Sequence, residues 1–188
     1  MKQLLGLLVV TVLVTSLATA QFGPEKGKMT LGPALEFALP LGDFSDLASF
    51  GVGGTARFEY GLQPKLALTG NIGYIWFSGE STELYDYSIS AIPLIAGVKY
   101  AFAPQFFVSG EVGFWFSTIS GDYTGEPIPG IPGYSYDASI DDSDTNFMLA
   151  PGVGYQNGPI EAVVRFWLID SDLSNLSLMV AYNIPINQ

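Results

Sequence analysis

The stretch MTLGPALEFAL, residues 29–39, decides the fold of this chain. Its apolar residues recur at every second position from Met29 to Leu39, and the positions between them hold Thr, Gly, Ala and Glu36. A period of two is typical of a β-strand whose two sides face different surroundings. Soluble strands have about five or six residues, whereas a tilted strand needs about nine to eleven to cross a hydrocarbon core. The stretch therefore predicts a membrane-crossing strand.

The same alternation recurs in seven further segments. These are residues 50–60, 66–76, 92–102, 106–116, 147–155, 160–168 and 176–184. One side of each segment is bulky and apolar, interrupted by Gly54, Gly70 and Gly110, and it carries no charge. The lumen of an eight-stranded barrel is too narrow for so many bulky side chains, so this side is expected to face lipid. We therefore predict an all-β fold, an eight-stranded antiparallel transmembrane β-barrel.

The opposite sides carry every charge found in the strands and are expected to line the lumen. The charged residues are Glu36, Arg57, Glu59, Lys99, Glu111, Glu161 and Arg165. Buried charges are tolerated only when they are paired and hydrogen-bonded, so we predict a lumen ion-pair network of these seven. The rest of this polar lumen is filled by small residues and by Phe107, Trp115, Met148 and Trp167. The network is either filling, as is usual at this size, or a narrow polar conduit.

Outward aromatic residues gather at both ends of the segments. Phe58, Tyr60, Tyr100, Phe102, Phe106, Tyr155 and Tyr182 lie at one end, and Phe50, Tyr74, Trp76, Phe114, Phe116 and Phe147 lie at the other. Aliphatic and small residues lie between them. Two aromatic girdles around an aliphatic band indicate the two interfaces of a membrane. A soluble lipocalin-like barrel would instead have its apolar side inward.

The connections between segments alternate between short and long. Residues 61–65, 103–105 and 156–159 are short and rich in turn-forming residues, whereas residues 40–49, 78–91, 118–145 and 170–175 are longer. The long connections contain thirteen acidic residues and no basic residue. Short periplasmic turns and long external loops are the rule for outer-membrane barrels, so the acidic side is expected outside the cell. Glycine and proline residues in 118–145 predict a mobile external loop there.

Two groups of acidic residues in these loops are weak candidates for calcium binding. They are Asp141, Asp142 and Asp144 in one loop, and Asp170 and Asp172 in another. Carboxylate oxygens are the ligands that Ca²⁺ prefers, but neither group has the spacing of an EF-hand loop. The pattern favours solvated acidic loops. We therefore predict no cofactor and no confident metal site.

The first twenty residues have the features of an export signal. Lys2 precedes an apolar run over residues 4–14, and Ala18 and Ala20 form an Ala-x-Ala end. The run is too short for a transmembrane anchor, which needs about 20 residues. Residues 1–20 are thus predicted to be a signal peptide cleaved before Gln21, and residues 21–188 to form the barrel domain.

Composition excludes several classes of function. The chain has no Cys and no His, which removes disulfide scaffolds, thiolate metal sites and His-activated nucleophiles. No enzymatic activity is therefore predicted. A net charge of -11 also makes the chain a poor ligand for nucleic-acid phosphates.

These features together resemble the small eight-stranded outer-membrane barrels of the outer-membrane protein A and X type. The resemblance covers about residues 29–184 and depends on architecture: the signal peptide, strands of membrane length, polar lumen, girdles and alternating loops. It implies an up-and-down barrel in the outer membrane of a Gram-negative bacterium. Such barrels often end on an aromatic residue, whereas here the last aromatic is Tyr182, followed by six further residues.

The resemblance also implies what such a barrel does. Family members are structural anchors, adhesion or defence proteins, or narrow channels. We expect a structural or surface-interaction role, with acidic external loops and a filled polar lumen; the alternative is a narrow pore or transporter for small solutes or small hydrophobic molecules. Outer-membrane lipid and lipopolysaccharide, bridged by divalent cations, are the expected partners of a monomer.

Overall fold

The computed structural model describes residues 26–79, 85–124, 137–169 and 173–186. They form one antiparallel sheet that closes on itself. Its strands are β1 (Met29–Leu41), β2 (Ala48–Gln63), β3 (Leu66–Gly79), β4 (Tyr85–Ala101), β5 (Phe106–Thr124), β6 (Asp137–Asn157), β7 (Ile160–Leu168), β8 (Ser174–Tyr182) and β9 (Ile184–Pro185). No described residue belongs to a helix long and apolar enough to cross a membrane.

Each strand pairs with the next along the chain, and β1 closes the barrel by pairing with both β2 and β8. The short β9 continues β8, because both pair with β1 in the same register: Ala34 lies opposite Ala181, and Leu31 lies opposite Ile184. The backbone nitrogen of Ile186 then donates a hydrogen bond to the Met29 carbonyl, at 3.0 Å. The predicted eight-stranded antiparallel barrel is thus confirmed, and its first and last strands are neighbours.

The predicted inward and outward sides are those of the structure. On β1, Leu35 is 57% exposed on the outer surface, whereas its neighbour Glu36 is 0% exposed in the lumen. The outward positions of the other strands are exposed or half-buried in the same way. The apolar surface therefore faces outward, as a lipid-facing barrel requires.

The two rims of the barrel differ. We call the rim with the three tight turns, at residues 64–65, 102–105 and 158–159, the turn end, and the opposite rim the loop end. Lys65 and Gly158 have positive φ angles of 77° and 57° in two of these turns. The turn end also holds residues 26–29 and 184–186, so both described chain ends lie there.

The prediction of a loop over residues 118–145 is wrong in part. Strand β5 continues to Thr124 and β6 begins at Asp137, with Thr118 opposite Ser143 and Thr124 opposite Asp137. Strand β4 likewise begins at Tyr85, inside the predicted loop 78–91. The Ser-Thr-Ile-Ser sequence at 117–120 suits a strand, and the prolines at 127, 129 and 132 lie beyond the paired residues. The middle of this predicted loop lies outside the described residues.

Three neighbouring strands consequently extend beyond the rest of the loop end. Strand β7 ends at Leu168 and β8 begins at Ser174, while β4, β5 and β6 remain paired as far as Tyr85, Thr124 and Asp137. We call these extensions, residues 85–91, 117–124 and 137–145, the projecting sheet. It gives one side of the barrel a paired extension that the opposite side lacks among the described residues.

Candidate functional site in the barrel lumen

The half of the lumen nearest the loop end is mainly apolar, with Asn175 as a buried polar residue opposite Trp167. Phe44, from a 3-10 helix over Gly42–Asp46, turns inward and is only 3% exposed. The centres of the Phe44 and Phe77 rings are 5.2 Å apart. The same distance is 5.9 Å between Phe77 and Trp115 and 5.4 Å between Trp115 and Trp167. We call these four rings the apolar layer; Ile75, Ile89, Ile95, Met148 and Ile169 belong to the same buried cluster.

This layer adds to the predicted polar lumen, for which Phe107, Trp115, Met148 and Trp167 were the expected large fillers. The inward isoleucines and Phe77 make this half of the lumen mainly apolar. Phe44 was missed because it lies in a connection, where alternation carries no information. Burial of a ring in an existing apolar cluster removes it from water, and this favours the inward position of the segment.

The half of the lumen nearest the turn end contains the seven charged residues, and two arginines join three of the carboxylates. Arg165 Nη2 lies 2.5 Å from Glu36 Oε2, and Arg165 Nη1 lies 2.9 Å from Glu111 Oε2. Arg57 Nη1 contacts Glu111 Oε1, and Arg57 Nη2 lies 3.1 Å from Glu161 Oε1. Each guanidinium thus uses two separate nitrogens to bridge two carboxylates, a geometry for which arginine is well suited.

The lysine continues the series toward the turn end. Lys99 Nζ donates to Glu161 Oε2 at 2.8 Å, to Gln156 Oε1 at 2.7 Å, and to Glu59 Oε1. Asn183 Nδ2 also donates to Glu161 Oε2, at 3.1 Å. All of these side chains are buried.

The ion pairs form one alternating series. Its order is Glu36, Arg165, Glu111, Arg57, Glu161, Lys99, Glu59. We call this series the ionic chain. It contacts ring systems at two points: Lys99 Nζ lies 4.4 Å from the centre of the Phe107 ring, and Arg165 Cζ lies 5.2 Å from that of Trp167. The second contact joins the ionic chain to the apolar layer.

The family model of the outer membrane protein beta-barrel domain matches residues 6–183. The chain belongs to this family. An outer-membrane location follows from this membership, and the strands described above are those of an outer-membrane barrel. No curated relative matches the chain by sequence.

Among solved structures, this outer-membrane barrel is similar to Ail, the attachment invasion locus protein of Yersinia pestis, with 15% identity and a TM-score of 0.62 over 85% of this chain and 99% of that one. Ail in complex with the heparin analogue sucrose octasulfate matches with 16% identity and a TM-score of 0.60, over the same shares of the two chains. OprG from Pseudomonas aeruginosa has 10% identity and a TM-score of 0.47, over 87% and 95%. At such identities the likeness to Ail shows the fold alone.

Glycines opposite the charges make room for the ionic chain of this outer-membrane barrel. Arg57 lies opposite Gly32, Glu36 opposite Gly53, Glu111 opposite Gly97, and Arg165 opposite Gly152. A Cβ atom at Gly97 would lie 2.6 Å from Glu111 Cα and 2.8 Å from its Cγ, closer than packed atoms approach. One at Gly152 would lie 2.9 Å from Arg165 Cγ. The long charged side chains therefore lie across glycine backbone.

Three uncharged partners of the ionic chain were not singled out from the sequence. Thr69 Oγ1 donates to Glu111 Oε1 at 2.8 Å, and Gln156 and Asn183 bind the Lys99 and Glu161 side chains as described above. Thr69 and Asn183 fall on the inward side of their predicted segments. Alternation could therefore have found both, whereas Gln156 lies in a predicted turn.

The weak calcium candidates are not assembled by the described residues. Asp142 and Asp144 are exposed, and the carboxylate of Asp144 accepts hydrogen bonds from Thr145 N at 2.8 Å and from Asn146 Nδ2 at 3.0 Å. The side chains of Asp141, Asp170 and Asp172 lie outside the described residues. Within the described part of the chain, no three acidic side chains come together in a way that could hold a metal ion.

Proposed function

We propose that this outer-membrane barrel is a closed protein with a structural and surface-interaction role. The observation that supports this most directly is the filling of the lumen. Trp115 and Trp167 in the apolar layer, and Arg57 and Arg165 in the ionic chain, are among the largest side chains that are fully buried. A barrel of this size whose interior is packed in both halves is suited to anchoring and presentation. The proposal includes no catalytic activity, because the chain lacks His.

The proposed orientation has the turn end in the periplasm and the projecting sheet outside the cell. It is supported by the lengths of the connections, since short periplasmic turns are the rule. The exposed bases Lys26, Lys28 and Lys65 lie at the turn end, whereas the long connections contain only acidic charges. An export signal over residues 1–20, cleaved before Gln21, belongs to this proposal; these residues lie outside the described ones.

The acidic external surface selects the partners. Lipopolysaccharide phosphates are repelled by it unless Mg²⁺ or Ca²⁺ bridges the two sets of anions. We therefore propose outer-membrane lipid and lipopolysaccharide as partners of a monomeric barrel, bound through divalent cations. Ail has been solved with a sulfated heparin analogue, but thirteen acidic residues and no base in the long connections oppose such a ligand here.

Two measurements test the proposal. In planar bilayers, the purified protein should give no steady single-channel conductance; a defined conductance would instead support the narrow-pore alternative. When the barrel is reconstituted in phospholipid vesicles, its binding of added lipopolysaccharide should weaken when divalent cations are chelated. Binding that is unchanged by chelator, or retention on immobilised heparin at low salt, would contradict the proposed cation-bridged interaction.

A further inference from the structure

The ionic chain begins and ends on a carboxylate. Its seven members therefore comprise four carboxylates and three cations, all of them buried. One negative charge is left without a cation in the chain. An ionised carboxylate without a compensating charge is strongly destabilised away from water, and such a group commonly takes up a proton instead.

The two terminal carboxylates differ from the two inner ones in their free oxygens. Glu111 and Glu161 each have both oxygens in contact with cationic nitrogens. By contrast, Glu36 Oε1 and Glu59 Oε2 are buried and have no hydrogen-bond partner among the described residues. A proton on either terminal oxygen breaks no ion pair. A proton on an inner carboxylate would displace an arginine or the lysine.

The surroundings of the two ends favour Glu59 as the protonated one. Glu59 and Glu161 contact the same ammonium nitrogen of Lys99, so the two carboxylates crowd around one charge. Glu36 and Glu111 instead contact different nitrogens of the Arg165 guanidinium, which spreads its charge over a plane. Repulsion between like charges is therefore greater at Glu59, and a proton there relieves it.

The position of Glu59 also gives a proton access. Beyond Glu36, toward the loop end, lie Ala38 and the apolar layer. Glu59 faces the turn end, where the inward side chains are polar and buried: Thr30, Gln105, Gln156 and Asn183. The groups facing Glu59 are Thr30 on β1, Thr69 on β3, Lys99 on β4, Glu161 on β7 and Arg57 on its own strand.

We infer that Glu59 holds one proton at neutral pH and that the ionic chain is thereby electrically neutral. A monovalent cation in place of the proton would need several oxygen ligands around Glu59 Oε2, whereas a proton needs that oxygen alone. The function of Glu59 is then to be a proton site whose occupancy sets the charge balance of the lumen.

Infrared spectroscopy tests this inference directly. In the purified full-length barrel, held at neutral pH in a detergent that contains no carbonyl group, carboxyl groups in water are ionised, so a carboxylic-acid C=O band should report the buried proton. Glu59→Gln should abolish the band. Glu59→Asp should shift its frequency, whereas Glu36→Asp, which keeps the number of carboxylates in the ionic chain, should leave the frequency unchanged. Absence of the band from the unsubstituted protein would overturn the inference whether or not the variants fold. A band shifted by Glu36→Asp and not by Glu59→Asp would overturn the assignment to Glu59.

Stability provides a second readout. An amide resembles a protonated carboxyl but releases no proton on unfolding, so Glu59→Gln should match or exceed the urea midpoint of the unsubstituted barrel at neutral pH. Glu111→Gln should lower the midpoint by leaving two arginines short of a partner. Raising the pH should lower the midpoint of the unsubstituted barrel more than that of Glu59→Gln, because only the former has this proton to lose. The urea midpoint can also be compared in sodium and choline salts at equal ionic strength. A midpoint that is higher in sodium and does not change with pH would show a bound cation and overturn the inference.

Discussion

At the scale of single residues, the space left by a glycine determines whether the ionic chain fits. Gly97 and Gly110 illustrate this, because they lie near each other on the paired strands β4 and β5 but face opposite sides of the wall. A Cβ at inward Gly97 would collide with the backbone and side chain of Glu111, whereas one at outward Gly110 would meet no atom within 4 Å. The side that a glycine faces, and not its presence in a strand, decides whether a larger residue fits in its place.

Gly97→Ala should therefore destabilise the barrel by about 1–3 kcal/mol, the usual cost of overpacking. The measurement is urea unfolding in phospholipid vesicles, followed by tryptophan fluorescence. Gly110→Ala is the matched control and should leave the midpoint almost unchanged. Equal effects of the two substitutions would contradict the assignment of inward and outward sides on β4 and β5.

At the scale of elements, the 3-10 helix Gly42–Asp46 closes the lumen at the loop end. It places the ring of Phe44 on Phe77, and Phe77 in turn contacts Trp115. The neighbouring Leu47 keeps its side chain outside, 44% exposed. The ring of Phe44 thus covers Phe77 on the loop-end side of the apolar layer.

Phe44→Ala should expose Trp115 and Trp167 to small solutes and lower the unfolding free energy by about 3 kcal/mol, as for other buried Phe→Ala changes. Acrylamide quenching in a Trp76→Phe background reports these two tryptophans, because Trp76 is the third tryptophan of the chain. Quenching should increase in Phe44→Ala and stay low in the control Leu47→Ala. Strong quenching before any substitution would show that the apolar layer does not exclude water.

The strand ends show how far the sequence could predict the elements. Alternation identified all eight strands because lipid and lumen impose opposite requirements on successive residues. Beyond the lipid, both sides of β5 and β6 meet water and the alternation disappears, although backbone pairing continues to Thr124 and Asp137. The inward direction of the seven charges could likewise be predicted. Their partners could not, because Glu36 meets Arg165 across 129 residues only through the stagger of the closed barrel.

At the scale of the whole molecule, the depth of a position in the membrane determines the cost of a charge there. Val164 lies on the outer surface at the middle of β7, whereas Ile160 begins the strand at the turn end beside Tyr182. Both face outward and both are exposed apolar residues. They therefore form a matched pair that differs in distance from the membrane interface.

Val164→Arg should cost about 2–4 kcal/mol, the usual penalty near the midplane, and Ile160→Arg about 0–1 kcal/mol, the penalty near an interface. Urea unfolding in vesicles gives both values, and the persistence of the folded band on unheated detergent gels confirms that each variant assembles. If Ile160→Arg lowered the unfolding free energy more than Val164→Arg, the middle of the lipid-facing surface would not lie at Val164.

The hydrogen bond between Ile186 and Met29 places the described chain ends side by side at one rim. The same barrel could therefore be formed by a circularly permuted chain, in which the strands follow one another from a different starting point. A gene rearranged so that a short linker joins these ends and the chain opens at the exposed turn around Gly158 would encode the same ring of strands. A tag inserted beside residue 26 and one inserted beside residue 186 would emerge on the same side of the membrane.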